Sequence, residues 1–261
     1  MLPFHHQHLI AGLIDDLLQN STDFAKDENL LIRRLNFSGV KGQTKVGKSG
    51  LHYCSNKVTL VLSSDTPRYI ELLINELFRK RYILIGKLNV SPEKVEEEEF
   101  SQLTSQTKFL CISPIVLSTK PEENIEEISL YSDVLSDLLY DSTMQKIESL
   151  GLFKGESLES FSNFQVVPDQ EYISKALNNN KKISRLYRIK DRNGEKQEYR
   201  GYTFPFKLYA HEKIQKLVLE CGFGEFADLG FGMLDVVNKK TNLKELQSLK
   251  GDTHIIDPTA E

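Results

Sequence analysis

No apolar run in the 261 residues approaches membrane-spanning length, so no spanning helix is expected. Met1-Leu-Pro-Phe-His-His has no charged leader segment and no cleavage site, which argues against a secretory signal. Cysteine is scarce. Cys54, Cys111 and Cys221 are odd in number and far apart, so neither a disulfide framework nor a zinc-ligand spacing is present. Each lies among apolar neighbours, and all three are expected as buried free thiols in a reducing cytoplasm. Acidic residues are missing between Glu28 and Asp65, an interval that holds Arg33, Arg34, Lys41, Lys45, Lys48 and Lys57.

What is present is ordinary for a soluble globular chain: 27% charged and 39% hydrophobic residues. The length allows one large domain or two small ones. The net charge of −4 argues weakly against a nucleic-acid partner, but the distribution argues for one. Besides the acid-free interval, Lys181, Lys182, Arg185, Arg188, Lys190, Arg192, Lys196 and Arg200 face only Asp191, Glu195 and Glu198 in their segment. The negative charge collects at Glu93–Glu99 and Glu122–Asp141. Charge segregated in this way can draw a polyanion to one face of an acidic protein.

The most informative stretch is Gly222-Phe-Gly224-Glu-Phe-Ala-Asp-Leu-Gly230-Phe-Gly232. It lies between an amphipathic helix and an alternating apolar run. A dinucleotide fingerprint needs its glycines between a strand and the following helix, and a Walker loop needs Gly-Lys-Ser/Thr; both fail here. Two readings remain for Gly222, Gly224, Gly230 and Gly232. They let backbone N–H groups approach a phosphate, or they cap a helix and bulge a strand.

Periodicity outlines the architecture. Leu9, Ile10, Leu13, Ile14, Leu17 and Leu18 predict a first helix. Strands are expected over 30–37, 51–54, 58–63 and 82–90, with a helix starting at Thr66-Pro67. The acidic, polar stretch 91–107 is the expected joint. Beyond it come a strand over 109–118, a helix over 126–150, a strand over 161–167 and a hairpin about Asp191–Gly194. A helix over 210–221 and a strand over 233–237 complete the pattern. This order predicts an α+β fold of two tandem ferredoxin-like (RRM-like) domains, 1–95 and 104–261, the first lacking its opening strand.

Several segments together resemble a known family. Pro3-Phe-His-His-Gln-His-Leu-Ile-Ala-Gly-Leu-Ile14, Leu35-Asn-Phe-Ser38, Ser113-Pro-Ile-Val116 and Cys221-Gly-Phe-Gly-Glu…Leu229-Gly-Phe-Gly-Met233 follow one another in the family's order. The chain resembles the CRISPR-associated repeat-RNA endoribonucleases of the RAMP superfamily. The resemblance implies cleavage of precursor CRISPR RNA within each repeat, with no metal and no cofactor. In that reaction the ribose 2′-OH attacks the adjacent phosphate, leaving a 2′,3′-cyclic phosphate and a 5′-OH. Repeat RNA is the expected partner in the cytoplasm, as monomer or homodimer, with no membrane involved.

Such an attack needs a base, an acid and a cation near the phosphate. Histidine suits both proton-transfer roles near neutral pH. His5, His6 and His8 crowd the start of the first helix, where phosphate is favoured. Helical phase turns His6 toward the core and leaves His5 and His8 accessible. Arg33 or Arg34 could supply the cation. Lys41, Lys45, Lys48, Lys182, Arg185, Arg188 and the four glycines are the expected RNA contacts. The chain departs from the family at Asp15, which stands where many members carry tyrosine, and at Phe226-Ala-Asp228, where a polar basic trio is common. The alternative reading is therefore a non-catalytic repeat-RNA-binding subunit of a CRISPR effector complex. The missing opening strand would leave ladder partners unpaired, so either a truncated reading frame or a substitute segment is expected.

Overall fold

The computed structural model describes residues 1–21, 34–98, 103–117, 130, 133–155, 161–190 and 196–237. Among them no helix is long and apolar enough to cross a membrane. The expected Asp191–Gly194 turn and the opening of the helix expected over 126–150 lie outside the described residues.

The chain forms a mixed α+β structure with small antiparallel sheets around two main apolar cores, one for each half. In the first half, helix α1 (Gln7–Gln19) buries Ile10, Ala11, Ile14, Leu17 and Leu18 along one stripe, as three-to-four spacing requires. Strand β1 (Leu35–Phe37) is followed by the hairpin β2 (Thr44–Gly47) and β3 (Gly50–Tyr53), and then by β4 (Leu62–Ser64), which pairs with β1. Helix α2 (Pro67–Arg79) opens with proline in its first turn, where a missing N–H costs no helical bond. The single strand expected over 82–90 is instead a second hairpin, β5 (Ile83–Ile85) and β6 (Leu88–Val90). It turns at Gly86, whose φ of +58° suits glycine.

Leu2 exchanges both backbone hydrogen bonds with Leu51, at 2.9 and 2.7 Å, so the first residues lie beside β3. Among the described residues the strands of this half form three separate two-stranded ladders rather than one four-stranded sheet.

The second half contains β7 (Gln106–Cys111), β8 (Ile115–Val116), α3 (Val134–Leu150), β9 (Gln165–Pro168) and α4 (Gln170–Asn178). It continues with β10 (Ser184–Lys190), β11 (Lys196–Tyr202), β12 (Phe206–Tyr209), α5 (Glu212–Cys221) and β13 (Leu234–Val236). Four strands form an antiparallel sheet in the order β13-β7-β12-β9, while β10, β11 and β8 form another. Alternation sets the faces: Phe206 and Leu208 of β12 are buried, Lys207 and Tyr209 point out. Helix α4 was not among the expected elements, although Ile173 and Ala176 recur at helical spacing on its buried face. Its start is set by a cap, since the Asp169 carboxylate accepts the Tyr172 N–H at 3.0 Å and also pairs with Lys108 of β7.

One expectation about the thiols is corrected. Cys111 and Cys221 are buried, but Cys54 is exposed, because it follows β3 at a turn of the chain. Burial pushes the Cys221 thiol up to about 12, so it is inert as a nucleophile.

The two halves meet where the loop 222–232 docks on β1. Asn36, fully buried, donates from Nδ2 to the Phe231 carbonyl at 3.2 Å and accepts the Phe37 N–H at 2.6 Å. The Phe37 ring packs under Gly230, and Gly232 rests on the Phe223 backbone with φ of +68°. A Cβ on Gly232 would overlap the Phe223 carbonyl, whereas one on Gly12, in the exposed face of α1, would meet nothing within 4 Å. Gly232→Ala should therefore destabilise the protein by about 2 kcal/mol or more, through clash and a disfavoured φ. Gly12→Ala should stabilise it by about 0.5–1 kcal/mol. Urea unfolding of the two variants beside the wild type tests both signs.

Candidate nucleic-acid interface

The segment before α1 sends its three histidines into different surroundings. His6 turns inward and is pinned at both ring nitrogens. Its Nδ1 lies 3.1 Å from the Pro3 carbonyl, and its Nε2 accepts the Val40 N–H at 3.1 Å. Accepting at Nε2 requires the proton on Nδ1, which fixes one neutral tautomer. Burial, the largest cause, lowers its pKa. His6 was among the expected catalytic residues; the structure makes it a structural one.

His5 and His8 stay exposed at the helix start, where the dipole favours an anion. The His5 ring meets Tyr187 of β10 edge-on, with centroids 4.8 Å apart. Burial lowers the His5 pKa first, then the nearby charges of Arg185 and His8 lower it further. Arg185 is two residues before Tyr187 and so shares its face of the strand. Tyr187 in turn packs edge-on against Phe231 of the glycine loop, at 5.3 Å. The loop thus supports a strand that backs a histidine from the other half of the chain.

The remaining expected residues divide. Lys45 and Lys48 are exposed on the β2–β3 hairpin, which the Leu2–Leu51 pairing holds beside the segment leading to His5. Lys182 is exposed just before β10. Lys41 is exposed, but Asp235 and Glu98 are its charged neighbours. Arg188 points to the opposite face of β10 and pairs with Glu198 at 2.7 Å. Arg34 is held by Asp65, which accepts from Nε at 2.9 and 3.0 Å and from the guanidinium end as well, raising the arginine's pKa. Arg34 is therefore a brace between β1 and the residue after β4, not an open RNA contact. Arg33 lies outside the described residues.

The glycines are also corrected. Gly222, Gly224, Gly230 and Gly232 are all buried. The loop's N–H groups turn inward: Phe223 to Gly232, Glu225 to Val116, Gly230 to Ala227, Phe231 to Phe226 and Gly232 to Pro114. This geometry serves close packing rather than an open phosphate cradle. The Lys146 amine of α3 donates to the Gly222 carbonyl at 2.6 Å, at the C-terminal end of α5, and burial lowers its pKa.

Sequence reasoning missed Tyr187. Strand alternation alone could have placed it with Arg185, but no local signal shows that it meets His5. It also missed the pairing of two acids. Burial raises the Asp15 pKa on α1, and the nearby carboxylate of Asp228 raises it further. Among the described residues no group of three or more His, Cys, Asp or Glu side chains converges as a metal site.

Comparison with known proteins decides the family. The model of "CRISPR associated protein Cas6, C-terminal" matches residues 91–236, more than half of the chain. The chain belongs to the Cas6 family. Its members are CRISPR-associated proteins. A CRISPR-associated endoribonuclease-like Cas6 protein of Pyrococcus furiosus is 23% identical over 197 residues, covering 75% of this chain and 74% of the relative. Among solved structures, a Cas6-related protein of Pyrococcus furiosus has a TM-score of 0.71 at 16% identity, covering 92% of this chain and 93% of its own. A RAMP protein binding different RNA substrates has a TM-score of 0.68 at 18% identity, covering 91% and 94%. At these identities the structural likeness speaks to the fold.

The two histidines whose pKa is lowered make stability depend on pH. Below their ordinary value of 6.5, the unfolded chain takes up protons that folded His5 and His6 resist. Stability should therefore fall as pH drops through 6.5 toward the lowered folded values. His6→Ala should cost about 1–3 kcal/mol at neutral pH, by stripping the Val40 N–H of its acceptor. The variant should also lose less than the wild type on acidification. Urea unfolding at about pH 7.5 and about pH 5.5 measures both effects.

Proposed function

We propose that this Cas6 protein is a metal-independent endoribonuclease that cuts precursor CRISPR RNA within its repeats. The observation that carries this reading is the convergence of His5, His8 and Arg185 at the start of α1, with Tyr187 behind His5. A histidine whose pKa is lowered is neutral at pH 7 and suited to act as a base. His5 takes the proton of the ribose 2′-OH as its oxygen attacks phosphorus. The bond from phosphorus to the 5′-oxygen breaks, and His8 gives that oxygen its proton. The products are a 2′,3′-cyclic phosphate and a 5′-OH. Arg185 balances the charge that gathers on the phosphate oxygens. Solvent returns the proton to His8 and removes the one on His5.

The same reading takes the chain as two tandem ferredoxin-like domains, 1–95 and 104–261, working on CRISPR transcripts in the cytoplasm. The strand order β13-β7-β12-β9, with α3 between β7 and β9 and α5 between β12 and β13, supports it for the second half. Lys45, Lys48 and Lys182 would follow the RNA backbone. A second reading, a non-catalytic repeat-binding subunit of an effector complex, draws on Asp15 facing Asp228. Two carboxyl groups on one flank of α1 repel a phosphate laid along that flank.

Incubating repeat RNA with the protein in EDTA should yield a 2′,3′-cyclic phosphate end. His5→Ala, His8→Ala and Arg185→Ala should each slow cleavage by about 10²–10⁴ while affinity changes only a few-fold. Unaltered rates in all three would put the active site elsewhere; tight binding by an inert wild type would favour the second reading. Replacing Lys45 and Lys48 with glutamine should lower the slope of log affinity against log salt by about 1–2. An unchanged slope would move the RNA to another face.

A further inference from the structure

The stretch 77–92 contains Arg79, Lys80, Arg81 and Lys87 and no acidic residue. It spans the end of α2 and the β5–β6 hairpin. Alternation in β5 buries Ile83 and Ile85 and turns Tyr82 and Leu84 outward, at 59% and 67% exposure. Phe78, in the last turn of α2, is also exposed. The Arg81 guanidinium lies over the Tyr82 ring, 5.4 Å from its centroid. Arg79 is paired with Glu76, while Lys80, Arg81 and Lys87 all stand exposed. Large side chains held out of the core, interleaved with cations, make a surface for a polyanion that carries flat rings. An apolar protein partner would gain little from the cations.

The patch adjoins the histidine segment. A Cβ on Gly86, in the turn of this hairpin, would contact Leu9 of α1 and Leu2, so the turn rests against the chain on both sides of His5 and His8. We propose that the α2 end and the β5–β6 hairpin form a second RNA site, which holds a single-stranded stretch continuous with the strand at His5. One base stacks on the Tyr82–Arg81 pair, and Lys80 and Lys87 take flanking phosphates. Stacking tolerates any base, so the site grips without reading sequence. This inference rests on the RNA-cleaving reading above but concerns a different surface.

The test uses the full chain and a fluorescein-labelled oligouridylate, followed by anisotropy. Tyr82→Ala and Arg81→Ala should each weaken binding about tenfold, and Tyr82→Phe should retain it. Tyr82 is exposed, so these variants should unfold in urea like the wild type. Equal oligouridylate affinity for the wild type and Tyr82→Ala overturns the inference and leaves the cleavage reading intact. Wild type that binds repeat RNA but not oligouridylate does the same. Wild type that binds no RNA overturns both. Vesicles of phosphatidylserine form the contrasting arm: if Tyr82→Ala weakens vesicle binding and spares RNA, the patch belongs to a lipid surface and the inference falls.

Discussion

The arrangement turns on one carboxamide. Asn36 is fully buried, and its Nδ2 reaches across the chain to the Phe231 carbonyl. An amide left unpaired in such a place would cost about 1–3 kcal/mol, so the contact specifies position as well as adding stability. Phe231 then sets Tyr187, and Tyr187 sets His5. The same docking places the Phe226 ring on Tyr199, 4.6 Å away, so both strands of the β10–β11 hairpin are braced by one loop. The glycines permit this closeness. With side chains at those positions, β1 and the loop would stand apart and the carboxamide would have nothing to hold.

Charge follows the same discipline. Arg34 and Arg188 are committed to Asp65 and Glu198, and the period of the strand separates Arg188 from Arg185. Among the described residues, the guanidinium that acts on His5 is Arg185, from the second half of the chain. His5 and His6, adjacent in sequence, take different roles for a geometric reason. One imidazole finds a carbonyl and an N–H at its two nitrogens, while the other finds a phenol ring and open solvent.

Much of this was legible in the sequence, and the failures have physical causes. Helical phase set His6 apart from His5 and His8, and the structure buries it, although His5 and His6 precede α1 and His6 is held by Pro3 and Val40. Pro67 marked the start of α2. The Leu35-Asn-Phe-Ser38 and Gly-Phe-Gly segments each carry the family resemblance, but that they meet in space is not written in either one. A glycine loop made for an anion and one made for tight packing share a composition, and only the partner distinguishes them. That partner, Asn36, is distant in sequence. Gly86 was read through as part of a strand since Gly-Lys is a weak turn signal. Helix α4 escaped because it is short and owes its start to Asp169. Tyr187 could not be foreseen, since its role exists only once the halves have met.

Each half encloses a core of its own, yet the histidines and the guanidinium come from opposite sides of the joint. Shape and chemistry are consequently divided along different lines. A fragment ending before β7 would lack both the Tyr187 ring behind His5 and the Arg185 charge near it.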